Sequence, residues 1–201
     1  MPSEFIQGYT LLRDKLWGDG DYSISSVRME DSEKIRIWRN EQMDGLRQSS
    51  PLSASHQKKY FNDFVLNEFI KKEPAQILLR FCLKGKLIGY GGVVHIDWLH
   101  LKGEVSFLLA TERAKDISQY CKEFAIFLKL LKQLAFNYLG FNKLTTEAYN
   151  HRRHHVQTIE NADFIREGLL RQHTRVNGEW VDAVVCSLLK SEYLPNEKKE
   201  K

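Results

Sequence analysis

Between Gly103 and Gly140 the chain sets an apolar strand, Glu104-Val-Ser-Phe-Leu-Leu-Ala110, a short charged loop and then a long amphipathic helix. This succession restricts the chain to folds in which a helix lies on a sheet. In the helix Tyr120, Cys121, Phe124, Ala125, Phe127, Leu128, Leu131, Leu134, Ala135 and Tyr138 recur at three- and four-residue steps. Lys122, Lys129, Lys132, Gln133 and Asn137 gather on the other side. A helix that starts just past a strand end points free N–H groups beyond the sheet, a geometry suited to anions and phosphates above all. A plain core strand followed by a plain core helix satisfies the same pattern.

A chain of 201 residues with 42% apolar and 28% charged side chains fits one soluble globular domain. No apolar run approaches the roughly 18 residues of a membrane span. Met1-Pro-Ser-Glu-Phe5 lacks the basic and apolar segments of a signal peptide, so a cytoplasmic protein is expected. The net charge of +4 is spread among alternating signs, which points away from nucleic-acid and membrane partners. The densest basic spot, Arg152-Arg153-His154-His155, suits a small polyanion. Cys82, Cys121 and Cys186 lie far apart in apolar patterns and read as buried free thiols, with no metal site.

In chain order, residues 1–21 read as an N-terminal extension, 22–194 as the domain and 195–201 as a charged tail. Tyr22 to Arg28 reads as a strand; Asp31 caps a first helix with Ile35 and Trp38 inward, and Ser53 or Ser55 caps a second. Ile77 to Leu83 and Leu87 to Ile96 form a hairpin through Lys84-Gly85-Lys86, with a bend or bulge near Gly89, Gly91 and Gly92. After the organising strand and helix come a strand, Lys143 to Ala148, and a helix, Arg153 to Ala162. Strands Phe164 to Gln172 and Trp180 to Leu189 close the chain, joined through Asn177-Gly178. The fold class is α+β, with a mixed, mostly antiparallel sheet flanked by helices.

This order, with three groups of residues, resembles the GNAT-type N-acetyltransferases. Trp38-Arg39-Asn40 followed by Ser55-His56 is similar to amino-sugar N-acetyltransferases, including those acting on nucleotide-linked amino sugars. Glu104 to Leu109, the helix Gln119 to Tyr138 and Leu139-Gly-Phe-Asn-Lys143 resemble the acyl-CoA-binding core. Phe164-Ile-Arg-Glu-Gly168, Arg171 and Gly178-Glu-Trp-Val-Asp182 are similar to the branch that holds the ribosomal-protein N-terminal acetyltransferases. The family's pyrophosphate loop is glycine-rich, whereas Thr111 to Ser118 has no glycine and sets Glu112 and Asp116 beside Arg113 and Lys115. Where the family carries the pantetheine-binding asparagine and the acid tyrosine, this chain has Arg152 and Ile159.

The resemblance implies acetyl-CoA as cosubstrate, with its arm on the backbone of Phe107, Leu108, Leu109 and Ala110 and beside Arg152. Its pyrophosphate would lie near Arg113, Lys115 and a helix start capped by Ser118. Glu104 stands where relatives carry a carboxylate that takes the amine's proton; a surface carboxylate is the plain alternative. His155 is a candidate for the proton of the departing thiolate, with Tyr149 as a second donor. Arg39, Asn40, His95, Asp97 and His154 are candidate acceptor contacts, and alternation places His95 and Asp97 on one face of their strand. The expected acceptor is a small-molecule primary amine, an amino sugar first; a protein N-terminus and a non-catalytic binding module are the alternatives. A monomer or homodimer is expected.

Overall fold

The computed structural model describes residues 8–193, so the charged tail lies outside the described residues. Its centre is one eight-stranded sheet, in the order β1-β2-β3-β4-β5-β6-β8-β7. The strands are β1 (Trp17–Asp19), β2 (Tyr22–Ser26), β3 (Ile77–Leu83), β4 (Lys86–Asp97), β5 (Lys102–Leu109), β6 (Lys143–Tyr149), β7 (Ile165–Val176) and β8 (Glu179–Leu189). Every neighbouring pair is antiparallel except β5 and β6. The helices are α1 (Ser32–Glu41), α2 (Ala54–Tyr60), α3 (Leu66–Phe69), α4 (Thr111–Ala114), α5 (Ile117–Lys132) and α6 (Arg153–Asn161). A π-helical turn, Phe61–Val65, joins α2 to α3, and another, Gln133–Tyr138, continues α5.

The mixed α+β architecture is the one expected from the periodicities. Described residues before Tyr22 join it: Trp17–Asp19 adds a strand beside β2, and Tyr9 and Leu12 are buried in the core. The organising strand and helix meet through aromatic rings, with Phe107 stacked on Phe124 at 4.5 Å and Phe127 against Phe81 at 5.5 Å. Each such buried ring contributes roughly 1.5–3 kcal/mol of apolar transfer. Gly91 makes room for them, since a Cβ there would meet Ser106 O at 2.2 Å and Phe127 Cζ at 2.8 Å. Its neighbour Tyr90 faces the other side of the sheet and bonds to Arg39 of α1, so α1 and α5 cover opposite faces.

Three local expectations change. Lys132, read as polar-face, is buried because its ammonium donates to the Ala162 carbonyl and to Asp163 at the end of α6. Asp31 does precede α1, but its carboxylate turns back to the Arg28 N–H and pairs with Arg80 instead of capping the helix. The cap of α5 is Asp116, which accepts from Gln119 N at 3.0 Å, and Ser118 lies inside the first turn. Ser53 caps α2 as expected, accepting from His56 N. Cys82 and Cys186 are buried and Cys121 half-buried, and all three are free thiols.

Candidate active site

The parallel pair β5/β6 holds the site. The two strands pair only where Lys102, Gly103 and Glu104 face Lys143, Leu144 and Thr145. Beyond that, β5 runs on to Leu109 beside β4, and β6 to Tyr149 beside β8. Strands joined at one end and diverging at the other leave unpaired backbone between them, which must find a partner. Ser106 and Leu108 carbonyls crowd Gly91 and Gly89 of β4, whereas the Leu109 carbonyl turns the other way and accepts from Gln42 at 2.9 Å. Alternation therefore aims the backbone of Phe107 into the opening, where an extended amide chain can add to the strand edge. Of the four residues expected to offer backbone there, Phe107 faces the opening, and Leu109 is engaged by Gln42.

A cleft of about 250 Å³ fills this divergence, lined by Glu104 and Phe107 from β5, Glu147 and Tyr149 from β6, and Arg152, His155 and Ile159 from the α6 region. Glu104 is at its junction end, and its carboxylate is 2.9 Å from the guanidinium of Arg47. The same guanidinium lies 2.8 Å from Glu147, whose carboxylate is also 3.3 Å from His173 Nε2. Burial works against the charge on Arg47, but the two carboxylates raise its pKa, so it stays a cation. Arg47 sits in the irregular segment after α1. That segment is held by Asn40, whose amide oxygen accepts from Leu52 N at 2.8 Å and from Gln48 at 3.0 Å. Arg39 also binds Gln48, at 3.0 Å, and the Tyr90 hydroxyl at 2.8 Å.

At the other end of the cleft the Tyr120 hydroxyl accepts from Arg152 Nη2 at 3.0 Å and lies 2.7 Å from His155 Nδ1. The phenol oxygen accepts from Arg152, and in the tautomer that carries the His155 proton on Nε2 the Tyr120 hydroxyl donates to Nδ1. His155 is stacked on Phe124 at 4.6 Å, and its burial, with Arg152 and His154 nearby, holds its pKa well below 6.5. Burial raises the Tyr120 pKa, with Arg152 opposing, so the hydroxyl remains protonated. Arg152 Nη1 also reaches Gly45 O at 3.3 Å, and beyond it a second cavity is lined by Leu108, Tyr120, Arg152 and His154. The chain thus provides two adjoining chambers with Arg152 between them.

The structure gathers Glu104, Phe107, Tyr149, Arg152, His155, Arg39 and His95 on the first chamber and places Leu108 and His154 on the second. Asn40 is bonded to Leu52 and Gln48, and Asp97 lies away from the cleft, bonded to His100 and near Lys102. The expected alternation of His95 and Asp97 fails because the β4/β5 register shifts between Val94 and Asp97, with His95 at φ +50°. Arg113 is tied to buried Glu123, and Lys115 pairs with Glu112. Sequence reasoning missed Arg47, Glu147 and Tyr120. Arg47 is in a stretch without periodicity, and Tyr120 fitted the apolar face of α5. Glu147 had a usable signal, since it alternates with buried Thr146 and Ala148 next to the expected cleft.

Residues 24–185 match the profile of the acetyltransferase (GNAT) domain family. A sequence comparison with curated proteins finds no significant match. Among solved structures, spermidine N-acetyltransferase from Vibrio cholerae in complex with CoA and spermine is similar, with a TM-score of 0.74 and 18% identity over 88% of this chain and 100% of the other. The dodecameric structure of the Vibrio cholerae enzyme in an intermediate state gives a TM-score of 0.71 and 18% identity, over 90% and 99% of the two chains. Among the described residues no helix is long and apolar enough to cross a membrane. With the family profile spanning most of the chain and the split β5/β6 pair at its centre, the protein belongs to the GNAT acetyltransferases and moves an acetyl group from acetyl-CoA to an amine.

Proposed function

We propose that the acceptor is a small molecule whose primary amine enters the cleft as part of a cationic group. The observation that carries this reading is the Arg47 guanidinium seated between Glu104 and Glu147 at 2.9 and 2.8 Å. Two carboxylates facing one cation form a recognition pattern for nitrogen cations, and an incoming ammonium takes the same contacts as Arg47 withdraws. The spermine-bound neighbour agrees with this class of acceptor. Glu104 then removes the ammonium proton, directly or through one water, and the freed amine attacks the thioester carbonyl. When the tetrahedral intermediate collapses, the C–S bond breaks. The thiolate takes a proton from the hydrogen-bonded Tyr120–His155 pair, and the second proton that the attacking nitrogen loses as the amide forms returns through water to that pair, beside Arg152. Tyr149, 7% exposed on the same wall, is the second donor candidate.

A second reading, an amino sugar, draws on a chamber of about 320 Å³ that shares Arg39, Val94 and Ser106 with the cleft or its strands and is lined by His56, Tyr60 and Gln76. Its aromatic wall and amide groups suit a polar ring. Free-CoA release measured with diamines, amino sugars, nucleotide-linked amino sugars and N-terminal peptides decides between the readings. The cationic seat predicts the highest kcat/KM for diamines, with a drop of about tenfold or more in Glu147→Gln. A preference for amino sugars that Glu147→Gln leaves intact transfers acceptor recognition to the chamber under α1 and α2.

A further inference from the structure

We propose that Asp116 and Glu123 set donor specificity, so that the enzyme grips acetyl-CoA by the pantetheine arm, with little contribution from the diphosphate. The inference rests on the acetyl-CoA-dependent activity assigned above. A diphosphate at a helix start needs three things: free N–H groups, a turn whose backbone can approach closely, and unpaired cations. Here the chain's own groups oppose each of them.

One first-turn N–H of the helix is capped from within, because the Asp116 carboxylate accepts the Gln119 N–H at 3.0 Å and sets a negative charge where an anion would bind. The turn between β5 and α5 is wound into α4, whose Arg113 and Ala114 N–H groups both donate to the Ala110 carbonyl, at 2.9 and 3.0 Å. Its residues all carry side chains, which keeps a phosphate off the backbone. Of the two cations, Arg113 makes a two-point contact with Glu123, one arm at 2.9 Å, and Glu123 is 1% exposed and also bonded by the Tyr22 hydroxyl. Lys115 is held by both oxygens of Glu112, at 2.9 and 3.0 Å. Two cations therefore face three carboxylates, and a diphosphate meets net repulsion. The arm of the donor has better provision: the free edge at Phe107, the second chamber, and Arg152 between the chambers.

The consequence is a donor site in which a plain pantetheine thioester competes with the full nucleotide. Calorimetric titration of the full chain with CoA, 4′-phosphopantetheine and pantetheine tests this without needing the acceptor. Dissociation constants within about tenfold of one another, and a CoA affinity nearly flat with salt, are the expected result. In Asp116→Gly the cap is lost at small cost to folding, and CoA binding should tighten by roughly three- to tenfold with pantetheine unchanged. CoA binding 100-fold or more above pantetheine, or falling steeply with salt, overturns the proposal and leaves the activity assignment standing. Unchanged CoA affinity in a folded Asp116→Gly overturns the part assigned to Asp116. Failure of all three probes to bind overturns the proposal and the donor assignment together.

Discussion

Arg47 couples the two carboxylates of the cleft, and its removal separates their roles. Arg47→Ala leaves Glu104 and Glu147 facing each other without a cation, so a cationic acceptor should bind more tightly and its KM should fall severalfold. The KM for acetyl-CoA should stay the same; steady-state kinetics with each substrate varied in turn checks both. His155 gives a second residue-scale test through stability. Its folded pKa is depressed by burial, so the unfolded chain takes up a proton at higher pH than the folded one. Its contribution is therefore present above about pH 6.5 and is lost as pH falls below that value. Thermal denaturation from pH 8 to 5 should show a steeper acid decline in the parent than in His155→Gln. Parallel curves would remove His155 from the acid sensitivity. At this scale the sequence was readable for placement, since Glu104 and His155 both line the cleft. It was silent on Tyr120, whose ring is core and whose hydroxyl is part of a buried chain of donors.

At the scale of elements, the strands and helices followed from periodicity because one face of each is buried. The Ile77–Leu83 strand appears with the expected ends, and the hairpin at Lys84-Gly85 forms with φ +49° and +75°. The failures came where neighbouring elements overrode local pattern. Asp31 is drawn from the α1 cap by Arg80 of β3, and the bulge after Val94 separates His95 from Asp97. Gly91→Ala tests how tightly β4, β5 and α5 fit. Its Cβ meets a backbone oxygen that cannot swing away, so a loss of about 3 kcal/mol or more is expected in urea unfolding. Asn40 belongs to the same scale, since its amide fixes the segment that carries Arg47 through Leu52 and Gln48. Asn40→Ala should cost about 1–3 kcal/mol and change the KM for the amine while leaving that for acetyl-CoA within about twofold. Equal changes in both constants would mean that the segment serves the whole cleft.

Across the whole molecule, one long sheet carries the cleft, which residues of α5 and α6 and the segment after α1 both line; the proposed roles put the donor with the helices and the acceptor with the segment. The split of β5 from β6 joins the two, and no single stretch of sequence announces it, because it depends on which strands pair and for how far. Family resemblance set the acyl arm beside β5 without naming the β5/β6 pair, and local chemistry filled the split with residues such as Arg152 that the family pattern does not carry. The central claim is that the amine loses its proton to Glu104 in this split. The measurement that bears on it most directly is kcat for free-CoA release from pH 6 to 10, in the parent and in Glu104→Gln, with a cationic amine at saturation. The account predicts a deficit of about two orders of magnitude or more below the amine's own pKa, shrinking towards parity above it, where the amine needs no base. Equal rates for the two proteins at every pH would contradict it.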